Sequence, residues 1–260
     1  MRSSPRAPDA VPPAGPPAAV ALRLHGIGPE LPPAASMLRL LDDVERSRAV
    51  RIEPAHSTSF IAGRYLLRLF VADLLGVQAE LLASRFTCPV CGPDGVPDHG
   101  RPEYLLDDEQ VPLALSLSRA GGFVLLGALD PRASGPGGVP GAGSGPAGAT
   151  GPGAGRTPHA RLGVDLAAVT ALDFDGFDAV ALTPEELLAV GALPVGDQGT
   201  ERARLWTRKE ALVKALGTGF TDRDPGAVEV LHDRRIGDLQ SVDGVPLEPL
   251  GLVAALAVIA

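Results

Sequence analysis

The chain has 260 residues, and its 32 Gly and 26 Pro together make about twice the share expected from average usage. It is acidic, with a net charge of -8 at pH 7, and only 4% of it is aromatic, which argues against a protein that grips nucleic acid along a basic stripe or stacks bases. The longest apolar run, Leu250 to Ala260, falls well short of the roughly 20 residues that cross a bilayer.

The Gly and Pro excess is concentrated. Between Pro131 and Pro158 it fills 16 of 28 positions, and the first 20 residues add six Pro and one Gly. These stretches carry four Arg and one Asp, so the remaining 212 residues hold a net charge near -11. Neither stretch has apolar periodicity, so neither buries enough surface to offset its ordering entropy. The expected organisation is a disordered tail over 1–19, one folded segment over 20–130, a flexible linker over 131–159 and a second folded segment over 160–260. Residues 1–20 alternate Pro and Ala with no apolar signal region, and the two cysteines, Cys88 and Cys91, cannot build a disulfide framework. The expected compartment is the cytoplasm.

Along the first segment, Val20 to Leu24 reads as a strand. The apolar spacing from Ser59 to Leu75 then predicts a helix that stops at Gly76. Strands are expected at Val111 to Ser118 and Gly122 to Leu129. In the second segment a strand at Leu162 to Leu166 carries Asp165 at its end, and Thr183-Pro-Glu-Glu opens a helix with an N-cap and Pro at N1. A helix from Glu201 to Leu216 stops at Gly217, with strands at Ala227 to His232 and Gly251 to Val258. The recurrence of long helix, strand and apolar hairpin strand in both segments predicts an α+β chain of two related units.

The chain has 21 Arg but only two Lys, Lys209 and Lys214, both on the helix that holds the only Trp. There Trp206, Glu210 and Lys214 are spaced i, i+4, i+8 and share a face. The simple reading is an anchoring Trp beside an exposed Glu–Lys pair. The sharper one sets Glu210 with Asp165, two carboxylates able to hold Mg²⁺, and brings Lys214 to phosphate charge. Asp165 also admits a simpler reading, a strand-end turn carboxylate. Cys88, Cys91 and His99 invite a zinc site but lack a fourth ligand; reduced thiols in a loop are the alternative.

Gly163-Val-Asp-Leu, followed about 40 residues later by Trp206-Thr-Arg-Lys-Glu-Ala-Leu-Val-Lys-Ala-Leu-Gly-Thr-Gly219, resembles the paired signature of the 4'-phosphopantetheinyl transferases. The surfactin-type, two-halved monomeric subclass is the closer likeness. Ala62-Gly-Arg-Tyr-Leu-Leu-Arg68, His99-Gly-Arg-Pro102 and Ser116-Leu-Ser-Arg-Ala-Gly121 are similar to segments of its first half. The resemblance implies two pseudo-twofold-related α+β subdomains with the active site between them. It implies transfer of the phosphopantetheine arm of coenzyme A to a serine of an apo acyl or peptidyl carrier protein, releasing 3',5'-ADP, for polyketide or non-ribosomal peptide synthesis. By the same resemblance Asp165 and Glu210 would hold Mg²⁺, and Glu210 would orient or deprotonate the serine. Lys214 would stabilise the departing phosphate. Arg64, Arg101, Ser118 and Arg119, with Arg46 as a further candidate, would meet the adenosine and 3'-phosphate. Two positions depart from the family pattern: Ala167 stands where many members carry a second acid, and Arg119 replaces a histidine. Both departures leave open a non-catalytic relative that binds coenzyme A or a carrier without transfer.

Overall fold

Punctuation at both ends sets the two long helices. Pro54 and Pro194 pre-set the entry turns, and Gly76 and Gly217 leave in the left-handed region at φ of 67° and 78°, where a side chain would be strained. The computed structural model describes residues 20–87, 100–131, 160–221 and 223–259. The expected tail, most of the expected linker, and Cys88, Cys91 and His99 lie outside the described residues.

In chain order the elements are β1 (Val20–Gly26), α1 (Ala34–Leu40), α2 (Asp43–Arg51), α3 (Pro54–Leu75), β2 (Leu82–Thr87), β3 (Arg101–Leu106), β4 (Glu109–Gln110), β5 (Ala114–Ala120) and β6 (Phe123–Leu129). They continue with β7 (Arg161–Ala168), α4 (Phe177–Ala181), α5 (Pro184–Gly191), α6 (Val195–Leu216), β8 (Ile236–Leu239), β9 (Ser241–Val242), β10 (Val245–Pro246) and β11 (Leu252–Ile259). The strands form small antiparallel sheets ordered β1-β6-β5, β2-β3-β4 and β7-β11-β8, with a β9–β10 pair. The chain is therefore a mixed α and β protein, consistent with the expected α+β class.

Strand alternation turns this order into layers. On β6, Val124, Leu126 and Ala128 pack beneath Leu66, Leu67, Phe70 and Val71 of α3. The intervening Leu125 and Leu129 meet Leu162, Val164 and Leu166 of β7 in a second core, shared with Leu252 and Leu256 of β11. The other face of β11 offers Ala255 and Ala257 to Ala211, Leu212 and Ala215 of α6. The stack thus runs α3, sheet, sheet, α6, and each large apolar side chain it buries contributes about 1.5–3 kcal/mol.

Gly163 is what lets α6 lie so close to β7. A Cβ at this position would stand 1.9 Å from the Ala211 carbonyl oxygen and 2.6 Å from the Ala215 nitrogen, both backbone atoms that cannot swing aside.

Several expectations change in detail, and both long helices begin earlier than expected, at Pro54 and Val195. The strand expected at Val111 to Ser118 begins only at Ala114, after Pro112, which has no N–H for a ladder. Asp165 lies inside β7, not at a strand end or turn. No strand forms over Ala227 to His232: a short 3-10 turn at Pro225–Ala227 leads into irregular chain. Val228 and Val230 are buried there, as alternation predicts. Their backbone, however, is served by side chains, since Val230 N–H donates to Glu186 at 3.2 Å and its carbonyl accepts from Arg208 at 2.8 Å.

Gly163→Ala forces α6 off β7 and should cost about 3 kcal/mol or more, lowering Tm by on the order of 10 °C in thermal denaturation.

Candidate functional site

A cavity of about 410 Å³ opens between the layers, lined by Arg64 of α3, Arg101 of β3, Ser118 and Arg119 of β5, Lys214 of α6, and Gly217 and Gly219 just beyond it. Four of the five basic or hydroxyl residues predicted for a coenzyme A end, from three separate elements, come together here.

The carboxylate side is built on β7. Asp165 is 5% exposed, and alternation turns it, like Gly163, toward α6. Its Oδ1 accepts from Ser118 Oγ at 2.7 Å and from Lys214 Nζ at 2.5 Å, so both of these cavity residues touch it. Lys214 therefore pairs with Asp165 across elements, which sets aside the simple reading of an exposed Glu210–Lys214 pair. Glu210, one turn earlier on α6 and half-buried, has no hydrogen bond or ion pair among the described residues. Burial first, and the charge of Asp165 after it, push its carboxyl above the usual range, while Lys214 pulls the other way.

Asp165, paired with Lys214, and the unpaired Glu210, whose carboxyl feels the charge of Asp165, suit a divalent cation. Mg²⁺ uses one or two carboxylates together with phosphate oxygens and water. Asp165 Oδ2 and both oxygens of Glu210 remain without hydrogen-bond partners among the described residues. Ala167, next on the same side of β7, supplies only a methyl group, and no cluster of three or more candidate ligands occurs among the described residues.

At the other end, guanidinium groups gather on two phenylalanines. Arg64 lies 4.7 Å from the Phe86 ring centroid and 5.5 Å from that of Phe60, and Arg119 lies 5.5 Å from Phe60. Arg48 of α2 joins them, 5.5 Å from Phe60 and 5.9 Å from Phe86. Burial lowers the Arg64 pKa to about 10, with Arg48 and Arg119 adding repulsion against the pull of Tyr104 and Glu45. Crowding by protein atoms lowers Arg119 as well, although part of its surface reaches solvent, and Arg48 contributes. Burial likewise lowers Arg101. Arg64 Nη1 and Arg101 Nε are buried without hydrogen-bond partners. Unpaired buried donors among like charges call for an anion.

Arg46 is not brought to this cavity. Its guanidinium donates to Asp43 at 2.6 Å and to the Leu41 carbonyl, closing the α1–α2 corner. Arg48 is the residue that sequence reasoning missed, and helical spacing alone does not find it: Arg46 and Arg48 flank the buried Glu45 and Ala49 on opposite sides, and only the ring contacts of Arg48 separate them. Gly63 was also unassigned. A Cβ there would meet Arg119 Cδ at 3.1 Å, so the glycine clears a path for the arginine stem across α3.

Neighbouring polar residues hold these elements in place. Arg68, one turn after Arg64, is buried against Glu45 at 2.7 Å and Asp42 at 2.9 Å, which fixes α2 to α3. Lys209, fully buried, pairs with Glu186 at 2.6 Å and donates to the Pro225 carbonyl, so this lysine of the signature is structural. Trp206 stacks on Phe220 at 5.5 Å and anchors the chain that leaves α6.

The raised Glu210 carboxyl gives a testable sign. A folded-state pKa above the unfolded one means that stability present below the ordinary value of 4.5 is lost as pH rises through the folded value. Glu210→Gln should therefore melt higher than the parent at about pH 8, and the two Tm values should converge at about pH 4.

Residues 161–242 match the model of the 4'-phosphopantetheinyl transferase superfamily. No curated protein matches the chain. The matched stretch runs from β7 to β9 and takes in Asp165, Glu210 and Lys214, of which Lys214 lines the cavity.

Proposed function

We propose that the protein transfers the 4'-phosphopantetheine arm of coenzyme A to a serine of an apo acyl or peptidyl carrier protein, releasing 3',5'-ADP. One observation carries this reading: Asp165, inside the matched stretch, is bonded to Ser118 and Lys214, and both of these line a cavity that Arg64, Arg101 and Arg119 also line. Coenzyme A needs both ends, a cation-assisted site for its pyrophosphate and fixed positive charge for its 3'-phosphate.

In this reading residues 20–130 and 160–260 are the two pseudo-twofold-related halves of a surfactin-type transferase acting as a cytoplasmic monomer, joined by a linker over 131–159. The support is repetition: α3 and α6 are each 22 residues long, each ends in a left-handed Gly, and each covers a three-stranded antiparallel sheet. Carriers of polyketide or non-ribosomal peptide synthesis are the substrates that go with this subclass. Because the folded part is acidic, a carrier would dock through apolar contacts and local arginines instead of overall attraction.

Asp165 and Glu210 would hold Mg²⁺, which when bound neutralises pyrophosphate charge. Arg64 and Arg119, with Arg48 beside them, bind the 3'-phosphate, and the planar fork of each guanidinium suits its oxygens. Arg101 extends the basic wall. The serine oxygen of the carrier attacks the phosphorus that bears the pantetheine arm, and the bond from that phosphorus to the ADP oxygen breaks. Glu210 accepts the serine proton. Lys214 stabilises negative charge on the departing phosphate, and Asp165 keeps its ammonium in place.

A second reading, a relative that binds coenzyme A without transfer, draws its support from Ala167 and Arg119. The experiment that separates them weighs an apo carrier protein after incubation with the protein, coenzyme A and Mg²⁺. The transferase reading expects a mass gain of one phosphopantetheinyl group; coenzyme A binding with no gain on several carriers would establish the second reading. Lys214→Ala should lower kcat by about 10²- to 10³-fold, the usual loss on removing one charge-stabilising donor.

A further inference from the structure

We propose that Ser118 is a positioning residue for Asp165, a role that rests on the metal-dependent transferase reading. The resemblance to the family would put this serine on a coenzyme A phosphate. A hydroxyl has one hydrogen to give, and a phosphate oxygen only accepts. Ser118 is buried and spends that hydrogen on Asp165 Oδ1 at 2.7 Å; its other oxygen neighbour, the Leu166 carbonyl at 3.5 Å, is also an acceptor.

The carboxylate needs such a partner. The terminal torsion of an aspartate is broad, so nothing intrinsic fixes the plane of its oxygens. Ser118 and Lys214 both converge on Oδ1, which pins that plane and leaves Oδ2 without a hydrogen-bond partner among the described residues. The lysine alone is a poor clamp, because its ammonium rides on a flexible stem and is 31% exposed. The serine sits on β5, whose backbone is held against β7 by Ser116, the acceptor of Val164 N–H at 2.9 Å. Orientation of the metal-side carboxylate is thus supplied by the opposite sheet. Outer partners of this kind are commonly worth about 10- to 100-fold in metal affinity.

The test measures Mn²⁺ binding to the full chain by electron paramagnetic resonance, without coenzyme A, and coenzyme A binding by calorimetry without metal. Ser118→Ala should weaken Mn²⁺ about tenfold and change metal-free coenzyme A affinity by less than about twofold. Ser118→Thr, which keeps the hydroxyl, should restore Mn²⁺ binding. Melting curves verify folding; Ser118→Cys, with its weak donor, is read in the same way if the alanine variant does not fold. Unchanged Mn²⁺ affinity in Ser118→Ala, or no Mn²⁺ binding by the parent, overturns the proposal. So does a tenfold fall in metal-free coenzyme A affinity, which would make Ser118 a phosphate ligand. A parent that binds Mn²⁺ through Ser118 yet modifies no carrier refutes the transferase reading and leaves the positioning role standing.

Discussion

Two serine hydroxyls fasten one sheet to the other. Ser116 accepts from the backbone of β7 and Ser118 donates to Asp165, so an edge strand of the N-terminal sheet completes the polar contacts of an edge strand of the C-terminal one. The apolar core between the sheets supplies most of the attraction, but it is non-directional and would tolerate sliding. The hydroxyls set the register, and the cavity depends on it. With β5 shifted along β7, Arg119 would no longer face Lys214 across a common space.

The site carries costs that the surrounding structure absorbs. Three arginines crowd two aromatic rings, buried donors lie unpaired, and Glu210 is half-buried without an ion pair among the described residues. The rings offset part of the repulsion among the guanidinium groups; the unpaired donors and the buried Glu210 carboxyl are costs that a polyanion and a cation would relieve. The acidic remainder of the chain gives no general attraction for anions, so recognition has to be local. Lys209 and Arg68 show the contrast: both are buried charges with carboxylate partners, although Arg68 Nε has no partner, and both do structural work close to the cavity.

Much of this was legible in the sequence, for physical reasons. The long helices follow from apolar spacing closed by Gly76 and Gly217, and β6, β7 and β11 follow from short apolar runs bounded by turn residues. The burial of Val228 and Val230 was readable from alternation. Their lack of a ladder was not, because the groups that serve Val230, Glu186 and Arg208, lie 44 and 22 residues away. Arginine content pointed to an anion, yet helical spacing does not separate Arg46 from Arg48, which flank the buried Glu45 and Ala49 of α2 on opposite sides. The contact of Ser118 with Asp165 joins residues 47 apart on different sheets, and no local pattern encodes it. The matched superfamily stretch covers the carboxylates but not the arginines, so only the fold shows that Asp165 touches the arginine-lined cavity through Ser118 and Lys214.

The central claim is that carboxylates and arginines form one site for a single ligand bound with a cation. Thermodynamic coupling tests this most directly, because two ligands that share a site must alter each other's affinity by the same factor. Coenzyme A binding should be titrated calorimetrically with and without Mg²⁺, in the parent and in Glu210→Gln. The account predicts that Mg²⁺ tightens coenzyme A binding at least about fivefold in the parent and that Glu210→Gln abolishes this gain. Equal coenzyme A affinity in the parent with and without Mg²⁺ would contradict it.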